Sequence, residues 1–97
     1  MKYPTVYILS NQRNGTLYTG VTSSPIQRIW QHRTHLVPGF THRHDVTRLV
    51  YFERHENMEE AILREKRIKK WRRQWKINLI ERFNPQWADL WELLAEG

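Results

Sequence analysis

The chain has 97 residues, sixteen Lys and Arg against ten Asp and Glu, a formal net charge of +6 and no cysteine. That length holds one core, and without cysteine there are no disulfides and no thiolate metal sites. A hydrophobic content of 39%, with five Trp, four Tyr and three Phe, argues against disorder. No run is long and apolar enough for a membrane span, and no signal-peptide core opens the chain. The expectation is one soluble, cytoplasmic domain over residues 1–97.

Residues 4–9 and 16–21 are rich in β-branched and aromatic types and read as strands. Asn14-Gly15 between them is a strong hairpin signal. Each strand carries a central tyrosine, Tyr7 and Tyr18. Such a pair suits cross-strand packing; it also suits chemistry by two phenols.

Ser24, Pro25 and Gln27 form a capping-box signature for a helix over Pro25–Thr34. Ile26, Ile29 and Trp30 fall on one arc, expected to face the core. Arg28 and His32, four apart, share a face off that arc. Val37-Pro38-Gly39 breaks the chain, and the polar THRHDVT that follows reads as a loop. Residues 48–53 read as a third strand; they do not alternate, which suits burial on both faces. Asn57 suits the cap of a helix beginning near Met58. After Asn84-Pro85, the spacing of Trp87, Leu90, Trp91 and Leu94 predicts a last short helix. The order β-β-α-β-α-α defines an α+β, sandwich-like fold: a small three-stranded antiparallel sheet flanked by helices.

The charge is concentrated. Residues 64–76 hold Arg64, Lys66, Arg67, Lys69, Lys70, Arg72, Arg73 and Lys76 against one acid, Glu65, or +7; the remainder of the +6 chain is then −1. A strip with so few interleaved acids suits a polyanion, and nucleic acid is the expected partner. Trp71 and Trp75 lie inside it. Four apart, they suit a core-facing stripe, with stacking on bases as the other use.

Glu65 falls within the apolar arc of Met58, Ala61, Ile62 and Ile68. A carboxylate there needs a partner, either a nearby arginine in a salt bridge or a hard metal ion. Five histidines, with no cysteine and no HExxH arrangement, make no zinc pattern.

These positions together resemble the GIY-YIG nuclease superfamily, in particular its small stand-alone bacterial members, the URI-domain proteins. Thr5-Val6-Tyr7 stands where Gly-Ile-Tyr would, and Tyr18-Thr19-Gly20 where Tyr-Ile-Gly would. Arg28 matches the family's arginine on the next helix, and His32 the His or Tyr one turn later. Glu65, in Ala61-Ile62-Leu63-Arg64-Glu65, matches its metal-binding glutamate. The resemblance covers about residues 4–83, leaving a helical extension over about 84–97. Thr5 and Thr19 depart from the tripeptides, and Val21 stands where some relatives carry lysine. Asn78 and Asn84 are the candidates for a late family asparagine.

The resemblance implies a DNA endonuclease that hydrolyses phosphodiesters with one Mg²⁺ or Mn²⁺ on Glu65. Arg28 would hold the phosphate and His32 would position water or phosphate or donate a proton. One tyrosine, here assigned as Tyr7, would be the general base, and the other would orient the water. Arg28, the metal and the strip would each favour phenolate. Repair or processing of DNA with weak sequence specificity is expected, since there is no length for a separate recognition domain. A monomer or weak dimer is expected. The alternatives are a non-catalytic nucleic-acid-binding module on the same fold, and a helical protein-interaction domain using Trp87–Leu94.

Overall fold

The computed structural model describes residues 3–96. Strands β1 (Thr5–Ser10) and β2 (Leu17–Thr22) pair antiparallel, with Tyr7 opposite Gly20 and Leu9 opposite Tyr18. In the turn, Asn14 adopts φ 56°, the left-handed region that asparagine tolerates. Strand β3 (Arg48–Arg54) pairs antiparallel with the other side of β1, giving the order β2-β1-β3. Helices α1 (Pro25–Arg33), α2 (Phe40–Arg43), α3 (Met58–Lys70), α4 (Arg73–Phe83) and α5 (Trp91–Glu96) surround this sheet. The fold is the expected α+β class. No helix among the described residues is long and apolar enough to cross a membrane.

Strand β1 is buried at every position, which fits its nearly unbroken apolar run. On one face Val6, Ile8, Val50 and Tyr51 pack with Ala61 and Ile68 of α3, Ile80 of α4 and Trp87. On the other, Tyr7, Leu9 and Leu49 pack with Ile29 of α1, Val46 and Leu94 of α5. The missing alternation in β3 has a local cause. Ile8 opposes Tyr51 and Leu9 opposes Leu49, so Val50 is an extra residue at a bulge. The bulge sends Val50 and Tyr51 to one core and Leu49 to the other.

Several expectations are corrected. Ser24 makes no side-chain cap bond, so the capping box does not form. The buried face of α1 is Pro25, Ile29 and His32, while Ile26 and Trp30 are 48% and 52% exposed. Trp30 instead meets Trp91 of α5, ring centroids 6.4 Å apart. The polar segment after Gly39 contains α2 and buries Thr41. The basic segment breaks at Trp71 and Arg72, whose ψ values of 150° and 154° are extended, so the strip bends from α3 into α4. Trp71 packs against the first core, but Trp75, expected beside it, is 51% exposed. Trp87 precedes the last helix in a left-handed turn, φ 56°, and is fully buried. Asn57 caps α3 as expected, its Oδ1 accepting from Glu60 N–H at 2.9 Å.

Candidate active site

The site is built outward from Tyr7 on the central strand. Tyr7 is 1% exposed and points to the α1 side of the sheet. Its ring lies over Gly20, directly across the ladder: a Cβ on Gly20 would come within 2.4 Å of the Tyr7 hydroxyl oxygen and 2.5 Å of Cζ. The glycine of the second tripeptide is thus a vacancy for the tyrosine of the first.

His32, on the buried face of α1, meets that hydroxyl: Tyr7 Oη and His32 Nε2 are 3.0 Å apart. The other imidazole nitrogen, Nδ1, lies 3.1 Å from Thr41 Oγ1 of α2. Tyr18 completes the aromatic cluster, its ring centroid 6.4 Å from Tyr7 and 5.5 Å from His32. Phe40 of α2 stacks on Tyr18 at 6.3 Å. Tyr18 is half-buried, so it is the phenol nearer solvent.

Burial pushes the Tyr7 phenol up to about 12, Tyr18 adds to the rise, and Arg28 opposes it without prevailing. Arg28 alone does not give the expected lean towards phenolate: dehydration of a buried anion outweighs one neighbouring cation. Burial, and then the positive charge of Arg28, push His32 down to about 4, so its imidazole is neutral at pH 7. Arg28 itself is half-buried on α1, with Gln31 Oε1 3.4 Å from its Nη1.

Glu65 stands on α3, 8% exposed, and the same field that acts on Tyr7 includes its charge. Its partner is Lys69, one turn on, with Nζ–Oε2 2.7 Å; the salt bridge expected as one alternative is made by lysine rather than arginine. Lys69 is exposed, so it can leave the carboxylate to another cation at little cost. One carboxylate with an exposed, replaceable partner fits Mg²⁺ or Mn²⁺, which take one or two protein carboxylates with water and substrate phosphate. Among the described residues no three His, Cys, Asp or Glu side chains converge as a metal-holding group.

Of the cationic strip, Arg64 turns inward, its Nε 3.0 Å from Glu53 and its guanidinium over Trp71. Arg73 donates to the hairpin carbonyls of Asn14 and Gly15 at 2.7 and 2.6 Å. Lys76 Nζ lies 3.5 Å from the Lys69 carbonyl, and burial together with Arg73 and Lys69 lowers its pKa. Lys66, Arg67, Lys70 and Arg72 remain exposed. Arg72 lies over the Trp75 ring at 5.4 Å. Asn84 is buried and structural: its Nδ2 donates to the carbonyls of Val50 and Ala88 at 3.0 and 2.9 Å. Asn78 is exposed and accepts from Gln74 at 2.9 Å. Sequence reasoning missed Thr41 and Phe40, because nothing in a polar tetrapeptide marks which side chain turns inward.

Tyr7, His32 and Arg28 lie together on the α1 side of the sheet, while Glu65 stands on α3, whose Ala61 and Ile68 pack against the opposite face. The chain belongs to the GIY-YIG catalytic domain family, a family of nucleases, whose model matches residues 3–78. It is 41% identical over 75 residues to a UPF0213 protein of Clostridium perfringens (strain 13 / Type A), covering 77% of this chain and 80% of that one. No solved structure matches the chain.

Proposed function

We propose that this protein is a divalent-metal-dependent DNA endonuclease whose reacting groups are Tyr7, Tyr18, Arg28, His32 and Glu65. The observation that carries this reading is the buried Tyr7–His32 pair at 3.0 Å. Hydrolysis of a phosphodiester needs a base for water and positive charge for the phosphorane. A phenol held near 12 is not a free phenolate at neutral pH. It need not be: as the Tyr7 oxygen takes a proton from water, its own proton passes to His32 Nε2. The pair acts as one base and no isolated phenolate forms.

Arg28 gives a planar fork for the phosphate. In the free protein burial, and with it the Arg28 charge, holds His32 low. A bound phosphate offsets that charge and so favours proton arrival on the imidazole. Tyr18, nearer solvent, orients the water by a hydrogen bond. Glu65 would hold the Mg²⁺ or Mn²⁺, which when bound polarises a phosphate oxygen and offsets charge on the leaving oxygen.

Lys66, Arg67, Lys70 and Arg72 supply phosphate contacts, and Trp75 offers a face on which an unpaired base can stack. Recognition through these groups is weakly sequence-specific and suits nicked, flapped or single-stranded DNA of repair or processing. The test is supercoiled plasmid with Mg²⁺ or Mn²⁺. Nicking that EDTA stops is expected; tight binding without nicking in either metal would favour the binding module. The Glu65–Lys69 bridge, which occupies the carboxylate, is the observation on that module's side.

A further inference from the structure

Helix α2 is only four residues long, yet two of its side chains reach the site. Phe40 stacks on Tyr18 at 6.3 Å, and Thr41, 3% exposed, lies under His32 with Oγ1 3.1 Å from Nδ1. Thr41 is anchored from behind, its carbonyl accepting from Val46 N–H at 2.9 Å, and Val46 is fully buried. The segment is a fitted wall.

A neutral imidazole has one N–H and one lone pair. His32 makes two side-chain bonds, to Tyr7 and to Thr41, so one nitrogen donates and the other accepts. Either Tyr7 donates to Nε2 and Nδ1–H donates to Thr41, or the whole chain runs backwards. Two facts choose. A phenol is a far stronger acid than an aliphatic hydroxyl, so the better donor at this imidazole is Tyr7. The Arg28 charge is near enough to act on the Tyr7 hydroxyl, and a cation draws the oxygen lone pairs towards itself and turns the phenolic hydrogen away, towards His32.

We propose that Thr41 is a positioning residue: its hydroxyl accepts from His32 Nδ1–H and locks the tautomer whose Nε2 lone pair receives the Tyr7 proton. The catalytic consequence rests on the reading of Tyr7 and His32 as a proton relay; the tautomer does not. Without the hydroxyl, Nδ1–H has no acceptor, and the imidazole gains by rotating or by moving its hydrogen to Nε2. An Nε2–H would donate to Tyr7 and leave its proton no path inward. Threonine also suits the site sterically, since valine keeps its shape and serine keeps its hydroxyl.

The experiment compares the full-length wild type with Thr41→Val and Thr41→Ser. The ¹⁵N and ¹H shifts of the His32 ring report the tautomer, and single-turnover cleavage in Mg²⁺ reports the reaction. Amide spectra check that each variant folds. Wild type should show a protonated Nδ1 and a bare Nε2. Thr41→Val should lose that preference and at least about tenfold in cleavage rate, with DNA affinity unchanged. Thr41→Ser should restore both. An Nε2–H form in the wild type, or a Thr41→Val protein with the wild-type tautomer, would overturn the assignment. Loss of rate that serine does not rescue would overturn it too. If the wild type cuts no DNA yet shows the Nδ1–H form that Thr41→Val loses, the nuclease reading fails while the Thr41 assignment is supported.

Discussion

The Tyr7 hydroxyl occupies the space that a side chain on Gly20 would fill, since a Cβ there would approach it to 2.4 Å. Gly20 is the residue opposite Tyr7 in the β1–β2 ladder, so the two tripeptides depend on each other sterically. Gly20→Ala should push the Tyr7 ring off His32. A displacement of about 1 Å can cost on the order of a hundredfold in rate. Cleavage should fall by about that factor, while amide spectra show the sheet intact. Unchanged activity would mean that the Tyr7 hydroxyl position is not critical.

His32 makes stability depend on pH in a definite direction. Its ordinary value is 6.5, and the fold lowers it to about 4 by burial and by Arg28. The folded state therefore resists protonation that the unfolded chain accepts. The contribution is complete above pH 6.5 and is lost as pH falls towards 4, up to about 3 kcal/mol in all. Urea melts across that window should show wild-type stability falling more steeply than that of His32→Gln. Parallel curves would place His32 in water.

Much of this site was legible from residue order. The β-branched and aromatic runs around Tyr7 and Tyr18, the Asn14-Gly15 turn and Pro25 opening a helix all express local rules that tertiary packing left alone. The failures have tertiary causes. Trp30 is apolar enough for a core, but α5 meets it at the surface, and the α1 face that turns inward carries His32. A hydrophobic arc drawn on a helix cannot know that its neighbour supplies two hydroxyls to satisfy an imidazole. Thr41 is a polar residue in a polar segment, and only the position of His32 gives it meaning. The strip read as one helix because Trp71 and Arg72 have no helix-breaking signature. The break there lets Trp71 enter the first core and leaves Trp75 outside.

The cations of the strip should divide into two classes. Lys66, Arg67 and Lys70 are exposed, and each alanine variant should weaken DNA binding across sequences and flatten the salt dependence by roughly one unit of slope. Arg64 holds Glu53 at 3.0 Å on a half-buried surface. Arg64→Ala should cost about 1 kcal/mol of stability, with little change in the salt slope. Filter binding across a salt series and thermal melts separate the classes; equal salt slopes for all four would contradict it.

Trp75 is 51% exposed, with Arg72 over its ring at 5.4 Å. Trp75→Ala should weaken single-strand binding by about 1–3 kcal/mol and leave duplex binding nearly unchanged. Equal losses on both would assign Trp75 to the fold.

If Tyr7 and Glu65 serve one metal-dependent reaction, removing either side chain abolishes it. The most direct measurement incubates wild type, Tyr7→Phe and Glu65→Ala with nicked, flapped, single-stranded and supercoiled DNA in Mg²⁺ or Mn²⁺, with EDTA controls. Wild-type cutting that EDTA abolishes and that both variants lose, while both still bind DNA, is the predicted result. Cutting that survives in either variant would contradict it.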